Sequence, residues 1–298
     1  MNVHWISIFG SIEATENQIK YIPYQITEGS NQGNYGIANA KSNIEFENGI
    51  ITFKVFLKNP KSICQIILNH GTQNEINIGL NLGKSAYGMA AYKAGKWEHI
   101  SAVGYDQTPN VEEWIPVKIK VSGSIIELYV YEIKACAGIE TIVNSQLGIA
   151  MGGVDGEVLV KDIHVKGTTP QIFVVMQFTE QYNELYNEVI RPTCESYGYE
   201  CIRADDMYTN KLIIEDIVQY IKESSIVIAD ITPNNPNVFY EVGYAHGSGK
   251  PTILLSDKKR EQVPFDVSGF RTLFYDNTIG GKAVIEERLK KHLDNIKS

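Results

Sequence analysis

Gln171-Ile172-Phe173-Val174-Val175-Met176 is an unbroken apolar run with no polar residue after its first position. A strand with one wet face alternates, so a continuous run belongs to a strand covered on both faces. Ser225-Ile226-Val227-Ile228-Ala229 repeats the pattern. Between the two runs the period becomes helical. Leu185, Val189 and Ile190 are spaced to share one face, and Ile213, Ile217 and Ile221 follow at i, i+4 and i+8. A short strand from Tyr199 to Arg203 separates these stretches. Downstream come a helix after Pro236, strands from Pro251 to Leu255 and Thr272 to Tyr275, and a closing helix from Lys282 to about Ile296. Buried strands alternating with helices predict an α/β, flavodoxin-like parallel sheet over residues 169–298.

Upstream of Lys166-Gly167-Thr168-Thr169-Pro170 the pattern differs. Ile51-Thr52-Phe53-Lys54-Val55-Phe56-Leu57-Lys58 and Val117-Lys118-Ile119-Lys120-Val121 alternate, and Ser122-Gly123-Ser124 leads into the apolar stretch from Ile125 to Tyr131 as a hairpin would. Glycines punctuate short apolar runs, and no long amphipathic helix is present. An all-β sandwich or jelly roll is expected over residues 1–168.

The chain has 298 residues, 43% hydrophobic and 21% charged, which suits two globular domains and excludes disorder. A net charge of −8 argues against nucleic acid and membrane surfaces as partners. No apolar run approaches the ~20 residues needed to span a bilayer, and Met1-Asn2-Val3-His4-Trp5-Ile6 lacks the basic start of a signal peptide. Cys64, Cys136, Cys194 and Cys201 form no CxxC pair, so reduced thiols in a cytoplasmic protein are expected. The histidines show no metal-ligand spacing, and no metal is expected.

In an open α/β sheet, ligands bind outside the carboxyl ends of the strands. That rule selects Met176-Gln177-Phe178, Arg203-Ala204-Asp205-Asp206, Asp230-Ile231-Thr232 and Ser256-Asp257. After Asp230, Asn235 is a natural helix N-cap and Pro236 a natural first helical residue. Asn237, Glu241 and Ala245 then share a face, with Glu241 projecting near the strand mouth from the second turn. Gly243 and Gly247 would let that helix pack closely on the sheet or a ligand. A carboxylate at a cleft mouth beside a strand-end Asp is the pairing that cleaves glycosidic bonds. Ordinary roles compete: a Glu early in a helix partners the dipole, and Asp230 would serve as a turn residue.

The second half resembles the nucleoside 2-deoxyribosyltransferase-like group, which shares its fold and general site with TIR-type NAD-cleaving domains. The resemblance rests on Ile228-Ala229-Asp230-Ile231-Thr232, on Asn235-Pro236-Asn237-Val238-Phe239-Tyr240-Glu241-Val242-Gly243-Tyr244-Ala245-His246, and on Gly249-Lys250-Pro251. Val189-Ile190-Arg191-Pro192, Arg203-Ala204-Asp205, Pro264-Phe265-Asp266 and Arg271 support it. It implies that Glu241 is the catalytic glutamate acting at C1′ of a ribose, and that Asp230 shapes the sugar and base pocket. By the same resemblance Met176, Gln177, Phe178, Asp205, Asn235, Asn237, Tyr240 and Arg271 bind substrate. Relatives usually read Met-Pro-Phe where this chain has Met176-Gln177-Phe178, and the transferases' Gly-Thr pair before the glutamate is absent. These departures favour hydrolysis of a nucleotide N-glycosidic bond, such as that of NAD, over deoxyribosyl transfer.

The first half is similar to concanavalin- or laminin-G-like sandwiches through Trp114-Ile115-Pro116-Val117-Lys118-Ile119-Lys120-Val121-Ser122-Gly123, then Leu128-Tyr129-Val130 and the run from Val158 to Val165. Such domains bind glycans or proteins; protein or self-association is the expectation here. Trp5, Trp97 and Trp114 have two readings, as packing residues or as a sugar-stacking face. Together the resemblances imply an NAD-cleaving effector of antiphage defence. It needs no cofactor, acts as a homo-oligomer, and carries the β domain as a sensor or oligomerisation module open to a protein or glycan trigger. A nucleoside or deoxynucleotide glycosidase or transferase, and a non-catalytic nucleotide-binding module, are the alternatives.

Overall fold

A computed structural model describes residues 3–15, 18–29, 31–204, 213–260 and 269–297. The chain divides into two compact units: Met1–Val121 with Ile125–Thr168, and Thr169–Ser298 with Ser122–Ser124. Among the described residues, no helix is long and apolar enough to cross a membrane.

The first unit is a sandwich of two seven-stranded antiparallel sheets, jelly-roll-like as expected. Its strands are β1 (Trp5–Phe9), β2 (Ile12–Ala14), β3 (Gln18–Tyr21), β4 (Ile37–Phe46), β5 (Gly49–Leu57), β6 (Ile63–Leu68) and β7 (Ile76–Leu82). There follow β8 (Ser85–Lys93), β9 (Lys96–Tyr105), β10 (Trp114–Ser122), β11 (Ile125–Val130), β12 (Ile133–Ile139), β13 (Ser145–Gly152) and β14 (Val158–Gly167). One sheet runs β1-β4-β13-β6-β7-β8-β9 and the other β12-β11-β10-β5-β14-β3-β2. The two alternating stretches read in the sequence lie side by side, with Val117 opposite Phe53 and Ile119 opposite Ile51. Ile51, Phe53, Val55 and Leu57 point into the core from β5, and Ile115, Val117, Ile119 and Val121 from β10. Full burial of each such side chain contributes about 1.5–3 kcal/mol. The tryptophans form no common face. Trp5 and Trp97 sit on opposite edge strands of one sheet, and Trp114 sits on the other sheet against Phe56 at 5.6 Å between ring centroids.

The second unit is a five-stranded parallel sheet of β15 (Gln171–Val175), β16 (Glu200–Arg203), β17 (Ile226–Asp230), β18 (Thr252–Asp257) and β19 (Thr272–Tyr275). Its order, β16-β15-β17-β18-β19, is the flavodoxin-like 2-1-3-4-5 arrangement. Helices cover both faces. Ile172, Val174, Ile226, Ile228, Ile253 and Leu255 pack beneath α1 (Glu180–Leu185), α2 (Arg191–Ser196) and α5 (Ile279–Lys297). Phe173, Val175, Val227, Ala229 and Leu254 pack beneath α3 (Ile213–Glu223) and α4 (Pro236–Gly247). The stretch read as one helix around Leu185 and Val189 is interrupted: Tyr186–Ile190 forms a π-turn in which the Arg191 N–H reaches the Tyr186 carbonyl. Pro192 accounts for it, since proline offers no N–H and its ring collides with the carbonyl four residues back in a regular α-helix.

Lys250 is only 4% exposed, and its ammonium donates to the carbonyls of Lys222, at 2.8 Å, and Ser224. It thereby satisfies carbonyls at the negative end of α3. Lys250→Met takes that donor from the Ser224 carbonyl and leaves the Lys222 carbonyl with the Ser124 N–H at 3.1 Å; the expected loss in unfolding free energy is about 1–3 kcal/mol, measured by denaturant titration.

Candidate functional site

The strand order reverses between β15 and β17, and a cleft of about 940 Å3 opens at the carboxyl ends of the strands there. Met176, Gln177 and Phe178 line it from the segment after β15, and Ala204 from the end of β16. Asn235, Asn237, Val238, Tyr240 and Glu241 line it from the start of α4, and Ile214 and Ile217 from α3. Local chemistry sets α4. Asn235 is the N-cap, and its Oδ1 accepts a hydrogen bond from the Asn237 N–H at 3.0 Å. Pro236 occupies the first helical position, where a missing N–H costs nothing.

Glu241 is 8% exposed. No hydrogen-bond or ion-pair partner for its carboxylate occurs among the described residues, and burial pushes its pKa up to about 7. It is the one carboxylate among the described residues that line the cleft. Phe178 and Tyr240, each about half exposed, give the mouth two aromatic surfaces. Arg203 braces Phe178 from behind: its guanidinium lies 5.4 Å from the Phe178 ring and 4.3 Å from that of Tyr186, and donates to Asn183 Oδ1 at 2.8 Å.

Asp230 takes no part in this lining, which corrects the expected pairing of two carboxylates. Along β17 it falls in phase with Ile226 and Ile228, on the face of α1 and α5, whereas Glu241 belongs to α4 on the other face. Fully buried, its carboxylate accepts from the Thr232 N–H at 2.9 Å, the Thr232 hydroxyl at 2.5 Å and the Tyr275 hydroxyl at 2.9 Å. Burial pushes its pKa up, while the Thr232 and Tyr275 bonds oppose that shift. Thr232 Oγ1 also accepts from the Asp257 N–H at 2.9 Å, so Asp230 anchors the ends of β17, β18 and β19 to one another.

Arg271 is exposed at the amino end of β19, away from the carboxyl rim that holds the cleft. Asp205 and the stretch Pro264-Phe265-Asp266 lie outside the described residues. Gly243 and Gly247 are exposed, with nothing within 4 Å of where a Cβ would stand, so close packing does not explain them. His246 stacks on Phe270 with ring centroids 4.0 Å apart. The strand-end rule had selected Ala204, but Ile214, Ile217 and Val238 were not read as cleft residues. Ile217 was visible only as one member of an apolar helix stripe, a pattern that marks core and cleft wall alike.

An anion held in an apolar wall without a counter-cation is complementary to a positive charge that enters the cleft or develops in it. Such a carboxylate suits the stabilisation of a cationic transition state or attack on a cationic carbon.

No protein-family profile matches the chain, and no similar curated protein is found. Among solved structures, the carbohydrate-binding module CBM66 from Bacillus subtilis is similar with a TM-score of 0.43 and 10% identity, covering 53% of this chain and 92% of that one. The Bacillus licheniformis β-glucanase gives 0.39 and 13%, covering 53% and 89%. An apo Crh5 transglycosylase gives 0.39 and 9%, covering 56% and 80%.

Glu241 ties stability to pH. Its pKa is about 7 in the folded chain against 4.5 for an ordinary glutamate, so between those values the folded state holds the proton more tightly. The contribution is fully present below about pH 4.5 and is lost as pH rises through 7, amounting to roughly 3 kcal/mol. Glu241→Gln removes this dependence. The variant is expected to match the wild type near pH 5 and to exceed its melting temperature above pH 7.5, as calorimetry across that range would register.

Proposed function

We propose that the chain is a nucleotide N-glycosidase that hydrolyses the nicotinamide–ribose bond of NAD. In this reading the α/β unit belongs with the nucleoside 2-deoxyribosyltransferase-like and TIR-type domains it resembles. The sandwich unit is its sensor or oligomerisation module, and the setting is antiphage defence. The observation that carries the chemistry is the desolvated carboxylate of Glu241, without a partner among the described residues, facing a cleft at the strand ends.

The chemistry needs one carboxylate. As the C1′–N bond of a nicotinamide riboside breaks, its electron pair passes to the pyridinium nitrogen, and nicotinamide leaves neutral with no proton required. Positive charge collects at C1′ and the ring oxygen, where ionised Glu241 stabilises or captures it. Water then adds at C1′, and its proton leaves through the carboxylate to solvent. Release of an uncharged nucleoside's base would call for a proton donor in addition. With Asp230 turned to the other face of the sheet, a leaving group that departs unaided fits this cleft better. The amides of Gln177 and Asn237 are suited to ribose hydroxyls, and Phe178 and Tyr240 to a stacked base.

Full-length protein, tested up to concentrations that favour self-association, is expected to release nicotinamide from NAD. Glu241→Gln should lower kcat by about 10²–10⁴-fold. Because the ionised form acts, kcat/KM of the wild type should rise with pH and level off above about 7. Base release from nucleosides or deoxynucleotides alone would replace NAD with that substrate class. Nucleotide binding with no turnover of any substrate would overturn the enzymatic reading.

A further inference from the structure

The cleft at the strand ends is built to receive positive charge. Ile214, Ile217 and Val238 line it together with the Glu241 carboxylate, and Phe178 and Tyr240 stand half exposed at its mouth. Aromatic faces attract cations, the more so where water is excluded. An ionised carboxylate in an apolar wall does the same.

A phosphate finds no such reception. Among the described residues that line the cleft there is no lysine, arginine, histidine or glycine. Backbone that cradles a phosphate approaches it through glycines or offers the free N–H groups of a helix start. The start of α4 has spent its own. Pro236 has no N–H, the Asn237 N–H goes to Asn235 Oδ1 at 3.0 Å, and the Phe239 N–H goes to the Asn235 carbonyl at 3.3 Å. That leaves Val238, which is 2% exposed. Arg203 precedes the lining residue Ala204, but it is 7% exposed and its guanidinium is engaged by Asn183, Phe178 and Tyr186.

The form of the cation also follows. A primary ammonium brings three donors, each of which needs an acceptor once buried. An N-substituted pyridinium spreads its charge over a flat ring with no donor on its nitrogen, so an anion and an aromatic face suffice. An anionic group brought close to ionised Glu241 meets like-charge repulsion in a poorly solvated site.

We infer that this cleft selects its ligand by charge and takes a phosphate-free pyridinium riboside in preference to the corresponding phosphorylated nucleotide. The bond that is cut rests on the N-glycosidase reading above; the charge selection does not. Nicotinamide riboside, a cation, and water give ribose, neutral nicotinamide and a proton. Where NAD is the substrate, its pyrophosphate stays in solvent and gains no contact from the cleft.

The test compares nicotinamide riboside, its 5′-monophosphate and NAD on the full-length protein at about pH 8, where Glu241 is ionised. Nicotinamide release is followed, and kcat/KM is expected to be highest for the riboside, by about ten-fold or more over the monophosphate. Asn237→Lys, which sets a cation on an exposed position of the lining, should narrow that gap by raising the monophosphate's value. A second measurement does not depend on turnover: calorimetric binding of 1-methylnicotinamide, a cation with no glycosidic bond, against neutral nicotinamide. The wild type should favour the cation by about ten-fold, and Glu241→Gln should abolish the preference. Equal or higher kcat/KM for the monophosphate or for NAD would overturn the inference and leave the N-glycosidase reading in place. Release from none of the three, with the cation still preferred, would overturn that reading and uphold the charge selection. No preference for the cation would overturn the charge selection whatever the turnover.

Discussion

Burial of β17 on both faces is the constraint on which the α/β unit depends. Successive side chains of a strand point to opposite sides, so Val227 and Ala229 must meet α3 and α4 while Ile226 and Ile228 meet α5. That parity continues to the strand's last residue and turns Asp230 away from α4, into the hydroxyls of Thr232 and Tyr275. The partition of roles at the rim follows. One carboxylate accepts three hydrogen bonds and holds three strand ends together; the other has no partner among the described residues and faces the cleft.

The architecture was legible because its signals are periodic. Continuous apolar runs, i, i+4 stripes and alternating strands each have one structural meaning when they extend over several residues, and both folds follow from them. The start of α4 was legible for a chemical reason, since Asn-Pro at a helix entrance has few other uses. What escaped was side-chain direction at strand ends, where Asp230 and Glu241 look adjacent in the chain but are separated by the thickness of a sheet. Arg271 entered from the resemblance alone; it precedes β19, and in a parallel sheet the carboxyl-end rule places that end away from the ligand rim. The π-turn before Pro192 was missed although its cause, the proline itself, is local.

The cap of α4 has a consequence for how this site can vary. Asn235 and Pro236 pin the angular origin of the helix, and each residue thereafter turns it by about 100°. Insertion or loss of a single residue before position 241 would swing the glutamate out of the cleft even with every contact of the sheet preserved. Divergence in this segment is therefore confined to exchange of side chains at constant length.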